Sequence, residues 1–241
     1  MHDSYLENYF SIDGEVKERT LLDQICVKIF AGIKFFTDRI LALIGLIIAS
    51  PIMFIIAILI KLDSKGPVLF KQLRTGKRGK NFYMYKFRSM EVNNDVHDFS
   101  KADQHTRIGK ILRKTSLDEL PQLINILKGE MSFIGPRPWI TDYYDAMNEA
   151  QRHRYIVRPG ITGLAQTRGR NDIDIIKKIT YDLEYIENYS LLMDIKIVLF
   201  SIKAVFTAKG ADAGKMTIQE ELAELRRRNH KDNTKEGENN E

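Results

Sequence analysis

Residues 40–60 read ILALIGLIIASPIMFIIAILI, twenty-one positions without a charge. As a straight helix this run would be about 30 Å long, the thickness of a bilayer's hydrocarbon core. A helix buried in a soluble domain suits a run of this length least well. Ser50-Pro51 falls at its midpoint. Proline has no amide hydrogen and its ring crowds the carbonyl of Ile47, so a sharp bend is expected there. Both flanks are basic, with Lys28, Lys34 and Arg39 before the run and Lys61, Lys65 and Lys71 after it. Cytoplasmic flanks are rich in Lys and Arg, which favours both ends on one side and a re-entrant helical hairpin. A kinked span is the alternative, because spanning helices tolerate proline.

The rest of the chain sets further bounds. Its start, MHDSYLENYF, has no cationic segment and is not expected to act as a signal peptide. The single cysteine, Cys26, excludes an intramolecular disulfide and a Cys-based metal cage, and suits a reducing compartment. The polar end, RRRNHKDNTKEGENNE, is expected to fray. The net charge of +5 is unevenly spread: residues 61–90 hold nine Lys or Arg and one acid, Asp63. Such a block suits a phosphate-bearing partner, whether nucleic acid, anionic lipid or a phosphorylated substrate.

Within the block, GPVLFKQLRTGKRGKNFYMYKFRSM predicts two short strands around a glycine-containing turn at 75–80. Lys77, Arg78 and Lys80 suit a solvated turn as well as a ligand role. Lys86 and Arg88 alternate with Tyr85 and Phe87, so they are expected to share one face of a strand. RTGKRGKN and GADAGKM both fail the P-loop pattern and no G-x-G-x-x-G occurs. No recognisable nucleic-acid module accompanies the charge, so nucleic acid is not an expected partner.

RKTSLDELPQL (residues 113–123) places two carboxylates side by side. Ser116 and Glu119 fit a capping box, followed by Leu120, Leu123, Ile124 and Leu127 at helical spacing. Pro121 counts against that box, since it would lie fifth in the helix. A start at Asp118 puts it in the first turn instead. Asp118 and Glu119 would then sit at a positive helix end after Arg113 and Lys114. An ionised Asp there suits attack on phosphorus, and Glu119 beside it suits Mg²⁺, which uses few carboxylates plus phosphate oxygens and water. Arg137 lies between the prolines of IGPRPW, and Arg158, Arg168 and Arg170 occur in the glycine-punctuated RPGITGLAQTRGRN. Rigidly presented guanidinium groups suit diphosphate recognition. The segment 190–208 has an apolar surface with Lys196 and Lys203 seven apart, which fits an interfacial helix and a core helix alike.

Taken in order, the Ser-Pro helix, SKGPVLFKQLRTGKRGKNFYMYKFRSM, TRIGKILRKTSLDELPQLINILKGEMSFIGPRP, RPGITGLAQTRGRN and YDLEYIENYSLLMDIKI resemble the bacterial sugar transferases, the monotopic phosphoglycosyl transferases. The resemblance covers residues 38–205. It implies a mainly helical α+β fold with a re-entrant hairpin broken at Ser50-Pro51, interfacial amphipathic helices and a short β-hairpin. Its divisions would be an N-terminal extension (1–33), a membrane helix (34–62), a catalytic domain on the cytoplasmic face of the bacterial inner membrane (63–209), and a C-terminal helix with a polar tail (210–241). It also implies transfer of sugar-1-phosphate from a UDP-sugar to undecaprenyl phosphate, with Mg²⁺ required and UMP released. Asp118 would be the nucleophile and Glu119 the metal ligand. Arg113, Arg137 and Arg170 would hold phosphates, and Lys86, Arg88 and Asp194 match positions near the site. Phe35, Thr37 and Gln104 depart from the family's usual residues. A non-catalytic adaptor that binds anionic lipid through the basic hairpin is the alternative from another class.

Overall fold

The computed structural model describes residues 8–10, 16–91, 105–169, 173–206 and 217–238. The apolar run lies within α1 (Leu21–Asp63), the one helix among the described residues long and apolar enough to cross a membrane. Thr20 caps its start, its hydroxyl accepting from the Asp23 amide at 3.2 Å. The expected break into two helices does not occur, and α1 continues through Ser50-Pro51. Pro51 deprives the Ile47 carbonyl of its usual donor, and the Ser50 hydroxyl supplies one at 2.8 Å.

One edge of α1 is buried from Val27 to Ala42 and again at Ile56 and Ile60, with no buried residue between. Val27 packs with Ile134, Val157, Tyr185 and Ile197; Ala42 with Phe82, Leu123 and Ile126; Ile56 and Ile60 with Phe87 and Leu112. Residues on both sides of Pro51 therefore touch the same body. The opposite edge, including Ile40, Ile44, Ile47, Ile48, Phe54 and Ile55, is exposed.

The basic stretch forms the hairpin the sequence predicts. Strands β3 (Leu69–Thr75) and β4 (Asn81–Phe87), numbered after a small hairpin of β1 (Asn8–Phe10) and β2 (Val16–Glu18), pair antiparallel from Leu69↔Phe87 to Thr75↔Asn81. Arg78 takes a left-handed φ of 57° in the turn. Helices α2 (Arg107–Thr115) and α3 (Gln122–Lys128) follow, then β5 (Ser132–Ile134). Next come α4 (Thr141–Ala146), α5 (Glu149–Arg152) and β6 (Gly160–Thr162), which pairs parallel with β5. The two strands approach main chain to main chain, and a Cβ on Gly160 would lie 2.2 Å from the Gly135 nitrogen. Only glycine permits that contact.

After α6 (Leu164–Arg168) and α7 (Ile175–Glu187), α8 (Leu191–Phe206) has one face in the core and an apolar face outward. Met193 and Ile197 are core residues, while Leu191, Leu192, Ile195 and Leu199 face outward. The side chain of Lys203 lies outside the described residues. The polar end differs from expectation, because Ile218–Glu238 forms one helix, α9. Leu222 and Leu225 bury it against α4 and α7, and Asn229 donates to the Ala146 carbonyl at 2.9 Å. Glu221 adds an ion pair with Lys178 at 2.9 Å, so apolar and polar contacts dock it together.

Candidate active site

The acidic pair sits on a tight reversal between α2 and α3. Ser116 does not cap the second helix as the S-x-x-E pattern suggests. It ends α2 in the left-handed region at φ 58°, and its side chain makes no capping bond. One 3₁₀ turn, Leu117–Glu119, follows, and Pro121 stands just ahead of α3, where a missing amide costs nothing. Leu117 and Leu120 pack toward Ile56, Ile60 and Phe87, so the end of α1 underlies the turn.

Lys86 arrives from β4 and Arg137 from the loop after β5. Both reach the same oxygen of Glu119: Lys86 Nζ at 2.7 Å and Arg137 Nη2 at 2.8 Å from Oε1. Lys86 is 3.9 Å from Asp118 Oδ2. One carboxylate is thus held by two cations and its neighbour is only approached. Burial would raise the Glu119 carboxyl, but Arg137 and Lys86 outweigh it and hold it at about 2. For Asp118 burial wins, aided by the Glu119 charge and opposed by Lys86, Arg113 and Arg137, and its carboxyl is raised. Burial also lowers the Lys86 ammonium, against the pull of Glu119.

Three supports fix these groups. Asn125, fully buried on α3, accepts from the Tyr85 amide at 3.0 Å and donates to the Tyr83 carbonyl at 2.8 Å and Glu130 Oε2 at 2.7 Å. That locks β4, and with it Lys86, to the acidic turn. Arg154, paired with Asp182 at 2.6 Å, holds the Arg137 carbonyl. Arg113 meets His105 Nε2 at 3.0 Å, and His105 Nδ1 lies 3.3 Å from the Ser89 carbonyl.

Among the described residues no group of three or more His, Cys, Asp or Glu gathers to hold a metal. Two adjacent carboxylates are the available donors, with Glu119 Oε2 left over by the two cations. Hard oxygens in that small number fit Mg²⁺, whose remaining positions go to water and phosphate.

The family model described as bacterial sugar transferase matches residues 29–208. The chain belongs to this family. It is 44% identical over 193 residues to the UDP-N-acetylgalactosamine-undecaprenyl-phosphate N-acetylgalactosaminephosphotransferase of Aeromonas hydrophila, covering 76% of this chain and 46% of that one. It is 42% identical over 195 residues to the UDP-glucose:undecaprenyl-phosphate glucose-1-phosphate transferase of Xanthomonas campestris, covering 76% and 40%. Against the uncharacterized sugar transferase EpsL of Bacillus subtilis, identity is 44% over 161 residues, covering 66% and 79%. The chain thus spans less than half the length of the Aeromonas and Xanthomonas relatives.

In this bacterial sugar transferase the fold gathers Lys86, Asp118, Glu119 and Arg137, with Arg113 close enough to act on Asp118. Other residues singled out from the sequence have partners of their own. Arg88 follows the last residue of β4, and its guanidinium donates to the carbonyls of Lys65 and Ser64 at 2.6 and 2.8 Å, closing the C-terminus of α1. Arg158 pairs with Asp38 of α1 at 3.2 Å, and Arg168 forks onto Glu184. Asp194 takes Lys34 at 2.5 Å and the Tyr185 hydroxyl at 2.8 Å, which fastens α8 to α1 and α7. Arg170 lies outside the described residues. The sequence reading passed over Asn125, Arg154 and Asp182. Asp182 leaves a trace, since it interrupts the apolar stripe Ile175, Ile179, Leu183, Ile186 of α7.

Proposed function

We propose that the chain transfers sugar-1-phosphate from a UDP-sugar to a polyprenyl phosphate such as undecaprenyl phosphate, through a phosphosugar ester of Asp118. The observation that carries this reading is the asymmetry of the acidic pair. Both cations go to one oxygen of Glu119, which leaves Asp118 ionisable and uncommitted beside them. The family and the relatives' donor and acceptor supply the substrate classes.

In the first half-reaction an Asp118 oxygen attacks the sugar-bearing phosphorus. The bond to the bridging oxygen breaks and its electron pair leaves with UMP. In the second, a phosphate oxygen of the polyprenyl carrier attacks the same phosphorus. The aspartyl bond breaks, Asp118 returns as a carboxylate, and the lipid diphosphate sugar is released. Lys86 and Arg137 orient the donor and stabilise charge on the non-bridging oxygens. Arg113 offers a further contact at the Asp118 end. Glu119, with Asp118 beside it, would hold Mg²⁺, which when bound neutralises phosphate charge.

The same reading seats the protein on the cytoplasmic face of the bacterial inner membrane without crossing it. Support comes from the packing of α1 on one body on both sides of Pro51, from its exposed apolar edge, and from the basic residues at both flanks. Downstream, the product would start exopolysaccharide, capsule, O-antigen or glycoprotein glycan assembly.

The test is UMP release from a panel of UDP-sugars with undecaprenyl phosphate and Mg²⁺, together with mass spectrometry of the quenched protein. A phosphosugar adduct on Asp118, and no turnover in a folded Asp118→Asn variant, are the expected results. An adduct on another residue, or full activity in Asp118→Asn, would remove the mechanism.

A further inference from the structure

Arg74 sits on β3, close enough to Arg137 to feel its charge. Its Nη1 donates to the Pro138 carbonyl at 3.3 Å, one residue beyond Arg137, and its Nη2 to Gln72 Oε1 at 2.5 Å. Its Nε is buried and has no hydrogen-bond partner. Among the described residues no carboxylate pairs with it. Tyr143 and Tyr155 are the other ionisable groups that act on it, and the Tyr143 hydroxyl is committed to Glu221 at 2.5 Å. Burial and then the Arg137 charge pull its guanidinium down to about 10, which leaves it charged at neutral pH.

Two arginines facing each other without a shared anion are costly to hold in a half-buried place. Lys86, Arg113 and Arg137 act on Asp118, and Lys86 and Arg137 on Glu119; Arg74 adds a further charge beside Arg137, so the group carries an excess of two positive charges. A diphosphate diester carries two negative charges. The order of the groups also gives a direction: Asp118 and Glu119 at one end, Arg137 bonded to Glu119, and Arg74 beyond Arg137. The sugar-bearing phosphorus belongs at the Asp118 end, so the other phosphate falls toward Arg74.

We propose that Arg74, together with Arg137, binds the phosphate of the departing nucleotide: the α-phosphate of the donor, and UMP once the bond to the sugar-bearing phosphorus has broken. The inference rests on the transferase reading. As the aspartyl bond forms, the electron pair of the broken bond adds a charge to the UMP phosphate, and a guanidinium fork meets two of its oxygens at once.

The test is the affinity of the detergent-solubilised full chain for UMP and for uridine, by calorimetry, in the unmodified protein, Arg74→Gln and Arg74→Lys. A charge-assisted contact corresponds to about tenfold or more in affinity. The unmodified chain is expected to prefer UMP over uridine by at least about that factor. In Arg74→Gln the preference collapses while uridine affinity holds, and Arg74→Lys falls between. An unchanged UMP-to-uridine ratio in Arg74→Gln overturns the inference, as does equal loss of both ligands, which marks a structural role for Arg74. Should Arg74→Gln fail to fold, the ratio in Arg74→Lys decides in the same way. UMP release from UDP-sugars tests the transferase reading separately. A chain that releases UMP but keeps its ratio in Arg74→Gln loses only the Arg74 assignment, whereas one that binds UMP through Arg74 without turnover loses the transferase reading.

Discussion

Arg154 donates from Nη2 to the carbonyl oxygen of Arg137 at 2.7 Å, so the backbone that presents one guanidinium to the acidic pair is held by another. Arg154 is fully buried, with Nε and Nη2 on Asp182 Oδ2 at 2.8 and 2.6 Å and its plane over Trp139 and Tyr155. Breaking one partner of a buried, hydrogen-bonded pair costs about 3–5 kcal/mol. Asp182→Asn and Arg154→Met are each expected to destabilise the protein by that amount, read from denaturant melts in detergent. Variants that still fold should turn over more slowly, since Arg137 loses its anchor.

The acidic pair sets a pH dependence with a definite sign. On the proposed mechanism Asp118 attacks as a carboxylate, and its carboxyl is raised from the ordinary 3.8, so UMP release should fall as pH drops through a value above that of a solvent-exposed aspartate. Glu119, held at about 2, stays charged across that window and adds no limb. Its lowered carboxyl stabilises the fold above the ordinary value of 4.5, a contribution lost only as pH falls toward 2. Lys86 is lowered from 10.5, so activity should also decline on the alkaline side before that value. A single-turnover pH profile reads both limbs, and Lys86→Arg should move the alkaline limb out of range.

Gly109→Ala offers a contrast of signs. Alanine is the better helix former by about 1 kcal/mol, and Gly109 lies within α2. A Cβ there would stand 1.9 Å from the Ser89 carbonyl oxygen, a main-chain atom that cannot swing aside. The substitution is expected to displace α2, carrying Arg113 and the acidic turn with it. Loss of both melting temperature and UMP release would be the result; a gain in stability would show that Ser89 can yield.

Asn125→Leu removes three hydrogen bonds at a fully buried position and strands the Tyr85 amide and the Tyr83 carbonyl. Each stranded group costs about 1–3 kcal/mol. The expected effect is a loss of that order in a melt, with a larger fall in kcat than rise in KM, because Lys86 moves relative to Glu119.

What the sequence made legible was local. Strand alternation and the glycine turn place β3 and β4 correctly, and adjacency alone puts Asp118 beside Glu119. What it hid depended on partners distant in the chain or lacking a side-chain signature. Arg88 shares strand parity with Lys86, but its partners are main-chain carbonyls, which no residue pattern announces. The ion-pair partners of Arg158 and Arg168, Asp38 and Glu184, lie far from them in the chain and leave no local sign. The capping box at Ser116 failed because a left-handed residue ending α2 outranked it, and the chain entered α3 at Pro121 instead. The charged run reads as a fraying end because Leu222 and Leu225, which dock α9, precede it.

The staples along α1 constrain the order of assembly. Val27, Ala42 and Ile60 rest on partners drawn from β4, α2, α3, β5, α7 and α8, all of them later in the chain. A ribosome delivers the apolar helix long before the last of those surfaces exists, so its inner edge must wait unpaired while most of the chain is still being made. The helix reaches its final seat only when the polypeptide that lies on it closes over that edge.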